Sequence, residues 1–271
     1  IPAGFQPDQQ YPLVVVIHGA FSNAKEFEQV SGFSSLADEE GFIVAYPNGV
    51  GLFGYLQHWN GGHCCGMAAE KKLDDVGFLN TTIDDIKQQL SINPDQIFLV
   101  GFSNGGMLGY RYVSEFPEKL SAFASVSTSI GSNDAARDWQ WTLEPPKTPV
   151  PALIAHGTAD ESIPFEGGNY KENESTLTFF SVEESVSFWR KANQCRETLS
   201  VLHQSNGAVI VNQWTNCSNN APVLYYELEG WNHRWPGIFH TQKLDENNPL
   251  KNYDLTREIW SFFKQHNRLK Q

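Results

Sequence analysis

The chain has 271 residues, 40% of them hydrophobic, enough to bury the core of one large α/β domain or two small ones. It carries 19 Lys and Arg against 31 Asp and Glu, a net charge of -12 that excludes the basic face a nucleic-acid or anionic-membrane partner requires. No apolar run approaches the ~20 residues of a membrane-spanning helix.

The first residue is Ile1 rather than Met, so a processed or excised piece of a longer protein is expected, and the missing targeting segment carries no weight. Residues 12–17 (PLVVVI) form a continuous apolar run, the mark of a strand buried on both faces of a parallel sheet. It ends in His18-Gly19-Ala20-Phe21. Residues 25–40 read as one helix stopped by Gly41, and residues 42–46 as the next strand. Residues 50–67 are rich in glycine and aromatics and lack periodicity, so they read as a long functional loop. Asp74 or Asp75 caps the following helix, whose core stripe is Val76, Leu79, Ile83, Ile86 and Leu90. Asn93-Pro94-Asp95 predicts a turn into the apolar strand 97–100.

That strand runs into Gly101-Phe102-Ser103-Asn104-Gly105 and then a helix to about residue 116. A strand, a sharp Gly-x-Ser-x-Gly turn and a helix form a nucleophile elbow, in which strained backbone lifts a serine above the sheet edge at a helix start. Residues 122–126 are another short buried strand, and residues 131–149 read as an irregular excursion. Residues 152–155 form a strand ending in His156-Gly157-Thr158-Ala159-Asp160. Residues 182–193 read as helix, and residues 223–228 as a last strand ending in Gly230-Trp231-Asn232-His233. An amphipathic helix over 253–266 closes the chain. Strands alternate with helices throughout, which predicts one domain with a mostly parallel sheet, helices on both faces and catalytic groups at the C-terminal strand ends.

Ser103 needs a base to accept its proton and a carboxylate to orient that base. Asp160 lies just past a strand end in a turn whose backbone donors can hold a carboxylate; Asp134 and Asp138 are weaker alternatives. His233 is the candidate base, because it is the one histidine downstream of Asp160 that directly follows a predicted strand; His240 is the fallback. The oxyanion donors are expected to be the N–H of Asn104 and of Ala20, with Phe21 as the alternative to Ala20, while His18 reads as a structural hydrogen-bonder.

The four cysteines allow three pairings. Centring a hairpin on Asn206-Gly207 puts Cys217 opposite Arg196, one position from Cys195. A disulfide at the hairpin base is therefore expected, and with it a secreted or periplasmic home. Cys64 and Cys65 leave a vicinal disulfide and two buried thiols open. His63 beside them suggests a metal, but no second Cys/His pair sits at finger-like spacing, so no metal is expected.

The elbow through Met107, the loop ending in Cys64-Cys65-Gly66 and the segment Asp74-Asp75-Val76-Gly77-Phe78-Leu79 together resemble the secreted polyhydroxybutyrate depolymerase and feruloyl/acetylxylan esterase group of α/β-hydrolases. The run from His156 to Asp160 and on through Ile163-Pro164-Phe165-Glu166-Gly167-Gly168 is similar to that group's acid loop, and His233-Arg234-Trp235-Pro236-Gly237 to its histidine loop. The resemblance implies the α/β-hydrolase fold and a cofactor-free carboxylic-ester hydrolase with the triad Ser103, Asp160 and His233. Its expected partner is an esterified polysaccharide or a small ester, with feruloyl release from plant cell wall the first reading. Acetylated xylan and polyhydroxyalkanoate are alternative substrates, and a non-catalytic carbohydrate-binding domain is the rival from another class. Phe21, Trp59 and Trp235 are expected to line the acyl pocket of a monomeric enzyme.

Overall fold

A computed structural model describes residues 1–52, 54–134, 138–169, 177–196 and 199–267. Strand β1 (Tyr11–Ile17) serves two cores at once: Leu13, Val15 and Ile17 enter one, Val14 and Val16 the other. Every position of the run is therefore apolar. The segment read as a single helix is two, α1 (Ala24–Ser31) and α2 (Phe33–Glu40), because Gly32 takes a φ of 73° and turns the chain between them. Strand β2 (Ile43–Ala45) follows. The supposed loop 50–67 holds a short hairpin, β3 (Val50–Leu52) and β4 (Tyr55–His58), and the start of helix α3 (Gly66–Glu70).

Asp74 caps α4 (Asp75–Gln89) by accepting the Gly77 N–H at 2.9 Å. Strand β5 (Ile92–Phe102) starts before the predicted turn and absorbs it as an irregularity: Tyr11 and Leu13 of β1 pair with Ile92 and Ile97. Helix α5 (Asn104–Glu115) and strand β6 (Ala122–Val126) come next. The irregular excursion is also partly regular, with β7 (Gly131–Asp134) and β8 (Trp139–Thr142) paired antiparallel. After β9 (Ala152–Gly157), β10 (Gly168–Asn169) and β11 (Leu177–Phe179) complete a small sheet in the order β10-β11-β7-β8.

Helix α6 (Val182–Ala192) begins at a capping box between Ser181 and Glu184. The hairpin β12 (Leu199–Gln204) and β13 (Val209–Trp214) has the register centred on Asn206-Gly207, and Cys195 pairs with Cys217 at its base with an S–S distance of 2.05 Å. Strand β14 (Val223–Leu228) and helices α7 (Ile238–Thr241) and α8 (Leu255–Lys264) end the described chain.

The main sheet has the order β12-β13-β14-β9-β6-β5-β1-β2 and is parallel from β14 to β2. Helices α4, α5 and α6 cover one face; α1, α2 and α8 cover the other. The C-terminal ends of β5, β9 and β14 consequently share one rim. Among the described residues, no helix is long and apolar enough to cross a membrane.

Candidate active site

Ser103 sits at the tip of the turn between β5 and α5, with φ 53° and ψ -123°, a conformation few side chains tolerate. Two contacts enforce it. A Cβ at Gly101 would overlap the backbone of Gly105 and Gly106, and a Cβ at Gly105 would overlap the carbonyls of Ile17 and His18 at the end of β1. The chain can therefore turn this tightly only with glycine at both places. The Ser103 N–H donates to the Val126 carbonyl at 2.9 Å, tying the turn to the neighbouring strand end.

Asp160 follows β9 and is buried. Its Oδ1 accepts the N–H groups of Ser162 and Ile163, both at 2.9 Å, so the turn clamps the carboxylate. The loop after β14 is laced to the same turn. Ala159 N–H donates to the Trp231 carbonyl at 3.0 Å, and Gly230 N–H donates to Thr158 Oγ1 at 2.8 Å. These bonds hold His233 over Asp160, with its ring 5.1 Å from that of Phe102.

The three side chains meet although 130 residues separate the first from the last. His233 Nδ1 donates to Asp160 Oδ2 at 2.7 Å, and Ser103 Oγ donates to His233 Nε2 at 2.9 Å. Asp160 accepts only, so the proton on Nδ1 leaves Nε2 free to receive the serine proton. Asp134, the alternative acid, lies in β7 of the small sheet, and His240 donates its Nδ1–H to the Trp235 carbonyl instead.

His156, to which the sequence reading assigned no role, also reaches this carboxylate. Its Nε2 lies 2.9 Å from the Ile163 carbonyl and 3.3 Å from Asp160 Oδ2. Facing two acceptors, Nε2 carries the proton. Burial alone would push the Asp160 carboxyl up; the hydrogen bonds from His156 and His233 overcome that and hold it well below the usual carboxylate range. The available signal was the spacing of His156 and Asp160 across one strand end.

The turn after β1 packs against the elbow, since a Cβ at Gly19 would lie 3.2 Å from Ser103 Cβ. Phe21 N–H is committed to the Gln57 carbonyl at 2.9 Å, which leaves Ala20 as the candidate donor of this turn alongside Asn104 at the start of α5. The Asn104 side chain acts elsewhere, accepting the Trp59 N–H at 2.7 Å and donating to the Trp59 carbonyl at 3.0 Å. His18 is buried and neutral. Burial lowers its basicity, its Nδ1–H donates to the Gly19 carbonyl, and its Nε2 accepts the Gly49 N–H.

Two expected pocket residues are structural instead. Trp59 is fully buried, donates its indole N–H to the His18 carbonyl and belongs to the core under α4 and α5. Trp235 is buried in the opposite core, against Phe27, Phe33 and Phe102, and donates to Thr256 Oγ1. Both are large apolar groups near a strand rim, where the core also reaches. Phe21 remains at the surface, 67% exposed, with its ring 4.6 Å from His58.

Cys64 and Cys65 are paired with each other. His63 is buried between Trp141 and Phe179, and burial pushes its ring down to about 3, so it is neutral. Among the described residues, no group of three or more His, Cys, Asp or Glu side chains converges as metal ligands would.

A family profile described as the α/β-hydrolase fold matches residues 12–144. A putative esterase, NocK, from Nocardia uniformis subsp. tsuyamanensis is 26% identical over 245 residues, covering 83% of this chain and 66% of that protein. Feruloyl esterase B of Piromyces equi is 26% identical over 236 residues, covering 86% of this chain and 41% of that one. The chain thus spans less than two thirds of the length of either relative. An acetyl xylan esterase from Aspergillus awamori superposes with a TM-score of 0.57 at 12% identity, covering 86% of both chains.

Proposed function

The chain has the α/β-hydrolase fold and is related to esterases, a feruloyl esterase among them, and from that premise we propose that it is a serine carboxylic-ester hydrolase. The observation that supports the reading is the unbroken relay from Ser103 Oγ through His233 to Asp160, with bonds of 2.9 and 2.7 Å. Ser103 Oγ attacks the ester carbonyl carbon as its proton passes to His233 Nε2. Asp160 holds the ring in the required tautomer and stabilises the imidazolium. The N–H groups of Ala20 and Asn104 receive the oxyanion, each worth about 3 kcal/mol of barrier. The intermediate collapses, the alcohol leaves with the proton from His233, and water hydrolyses the acyl-enzyme by the same steps in reverse.

Within that class we favour hydroxycinnamoyl esters of plant cell-wall polysaccharide, feruloyl first. The feruloyl esterase relative supports this, together with Phe21, an exposed ring one residue beyond the Ala20 donor that can meet a planar acyl group. Acetyl esters of xylan are the second reading, supported by a 25% identical relative, the bifunctional acetylxylan esterase/xylanase XynS20E of Neocallimastix patriciarum. Residues 1–271 act as one catalytic domain and a monomer, and the Cys195–Cys217 bridge suits a secreted or periplasmic setting.

Initial rates on p-nitrophenyl acetate, methyl ferulate, acetylated xylan and a hydroxybutyrate oligomer test both levels. Hydrolysis of the first, lost in Ser103→Ala, is the expected result. A wild type inert towards every ester would favour the carbohydrate-binding alternative, and a preference for the hydroxybutyrate oligomer would overturn the polysaccharide assignment.

A further inference from the structure

We infer that a groove between β8 and the outer side of α5 binds the polysaccharide chain itself, as a linear uncharged glycan. The biological purpose of this site rests on the esterase reading; its existence does not. The groove has a volume of about 890 Å³, towards the upper end of the roughly 300–1,000 Å³ usual for small-molecule sites. Ser103, Asp160 and His233 do not line it, so it is separate from the chemistry.

One wall is β8. Trp139 and Trp141 stand two residues apart on that strand, so their indoles project from the same face, roughly 7 Å apart along the chain. Trp139 is 39% exposed, a large apolar ring held at the surface. Trp141 lies against Gly62, where any Cβ would collide with the indole. The other wall is the outer side of α5. There Arg111 is neutralised by Glu115 at 3.3 Å and donates to the Asn60 carbonyl at 2.8 Å. Indole faces pack on the C–H faces of pyranose rings, and the facing amides and carboxylates bond hydroxyls.

Charge selects among glycans. The carboxylates of Asp74, Glu115 and Glu144 outnumber the cations of Lys72 and Arg111, on a protein of net charge -12, so a polyuronate is repelled. The groove is linked to the elbow through the protein backbone at residues 59–62. Asn60 and Gly62 line it, and the preceding Trp59 is the residue whose backbone the Asn104 side chain grips. A glycan held in the groove would be tethered to the protein that cleaves its esters, raising their effective concentration at the Ser103 turn.

Two measurements on the full chain test this. In Ser103→Ala, calorimetric titration with xylohexaose should show saturable binding, weakened about tenfold or more by adding Trp139→Ala. In the active enzyme, Trp139→Ala and the surface change Glu115→Ala should each lower the ratio of kcat/KM on acetylated xylan to that on p-nitrophenyl acetate at least about fivefold, through KM. Absence of saturable binding, or an affinity and ratio unchanged in both variants, would overturn the inference. Xylohexaose binding by a protein inert towards every ester would keep the groove and sink the esterase reading; ester hydrolysis without glycan binding would do the reverse.

Discussion

Two regions contribute to the site, and they are specified differently. The rim formed by β5, β9 and β14 places each reacting group within a few residues of a strand buried on both faces, where the backbone has one path available. The region built from β3, β4, β7 and β8 consists of strands of three or four residues paired in short local hairpins, with β3, β4 and β8 largely exposed. The first region is buried and hydrogen-bonded, which suits it to chemistry. The second supplies surface, and the groove lies along it. Substitutions at the rim should therefore act on the chemical step, and those at the outlying surface on polymer binding or stability.

The largest expected effect is at the nucleophile: Ser103→Ala should cut kcat roughly 10⁶-fold with the melting temperature unchanged, checked by ester hydrolysis and calorimetry. Asp160→Asn should follow at roughly 10⁴-fold, because an amide cannot hold the working tautomer of His233. It also carries a pH signature. The carboxyl of Asp160 is held below its unfolded value, so its charge stabilises the folded protein above about pH 4, and that contribution fades as pH falls towards the folded value. The stability gap between wild type and Asp160→Asn should be full at pH 7 and shrink below about pH 4; a gap constant with pH would show that the buried charge is not what the fold stabilises.

Next comes the hairpin staple. Replacing Cys195 and Cys217 together by serine should cost about 3 kcal/mol of stability, read by denaturant unfolding, with kcat unchanged. A matching loss of kcat would mean that the β12–β13 edge and the catalytic rim are not independent. The smallest effect is expected at His156. Removing its hydrogen bond with His156→Phe should slow kcat roughly tenfold, with partial recovery in His156→Gln, which can still donate. Equal loss in both variants would assign His156 to packing alone.

The same division explains what could be read in advance. Strands 122–126 and 223–228 were legible to the residue, because burial on both faces demands an apolar run of defined length. The strand-end positions of Ser103, Asp160 and His233 followed in the same way from the apolar runs 97–100, 152–155 and 223–228. The break at Gly32 was missed because a left-handed glycine between two helices has the same local sequence as a glycine tolerated inside one. The hairpin at 50–58 was missed because its outward faces carry Leu52, Tyr55 and Leu56, which erase the alternation that marks a half-buried strand. Trp59 and Trp235 were misplaced for a related reason. Their position near the rim was readable, but which way each ring turns depends on partners such as His18 and Thr256, far away in the chain. His156 escaped notice because its role exists only once Asp160 folds back over it.

The central claim is that Ser103 forms a covalent acyl intermediate with the help of His233. The most direct measurement is intact-protein and peptide mass spectrometry after exposure to a p-nitrophenyl phosphonate, which traps an activated serine. A single adduct on the peptide carrying Ser103, formed at least about a hundredfold more slowly in His233→Ala, is the predicted result. An adduct on another residue, or ester hydrolysis that persists in Ser103→Ala, would contradict it.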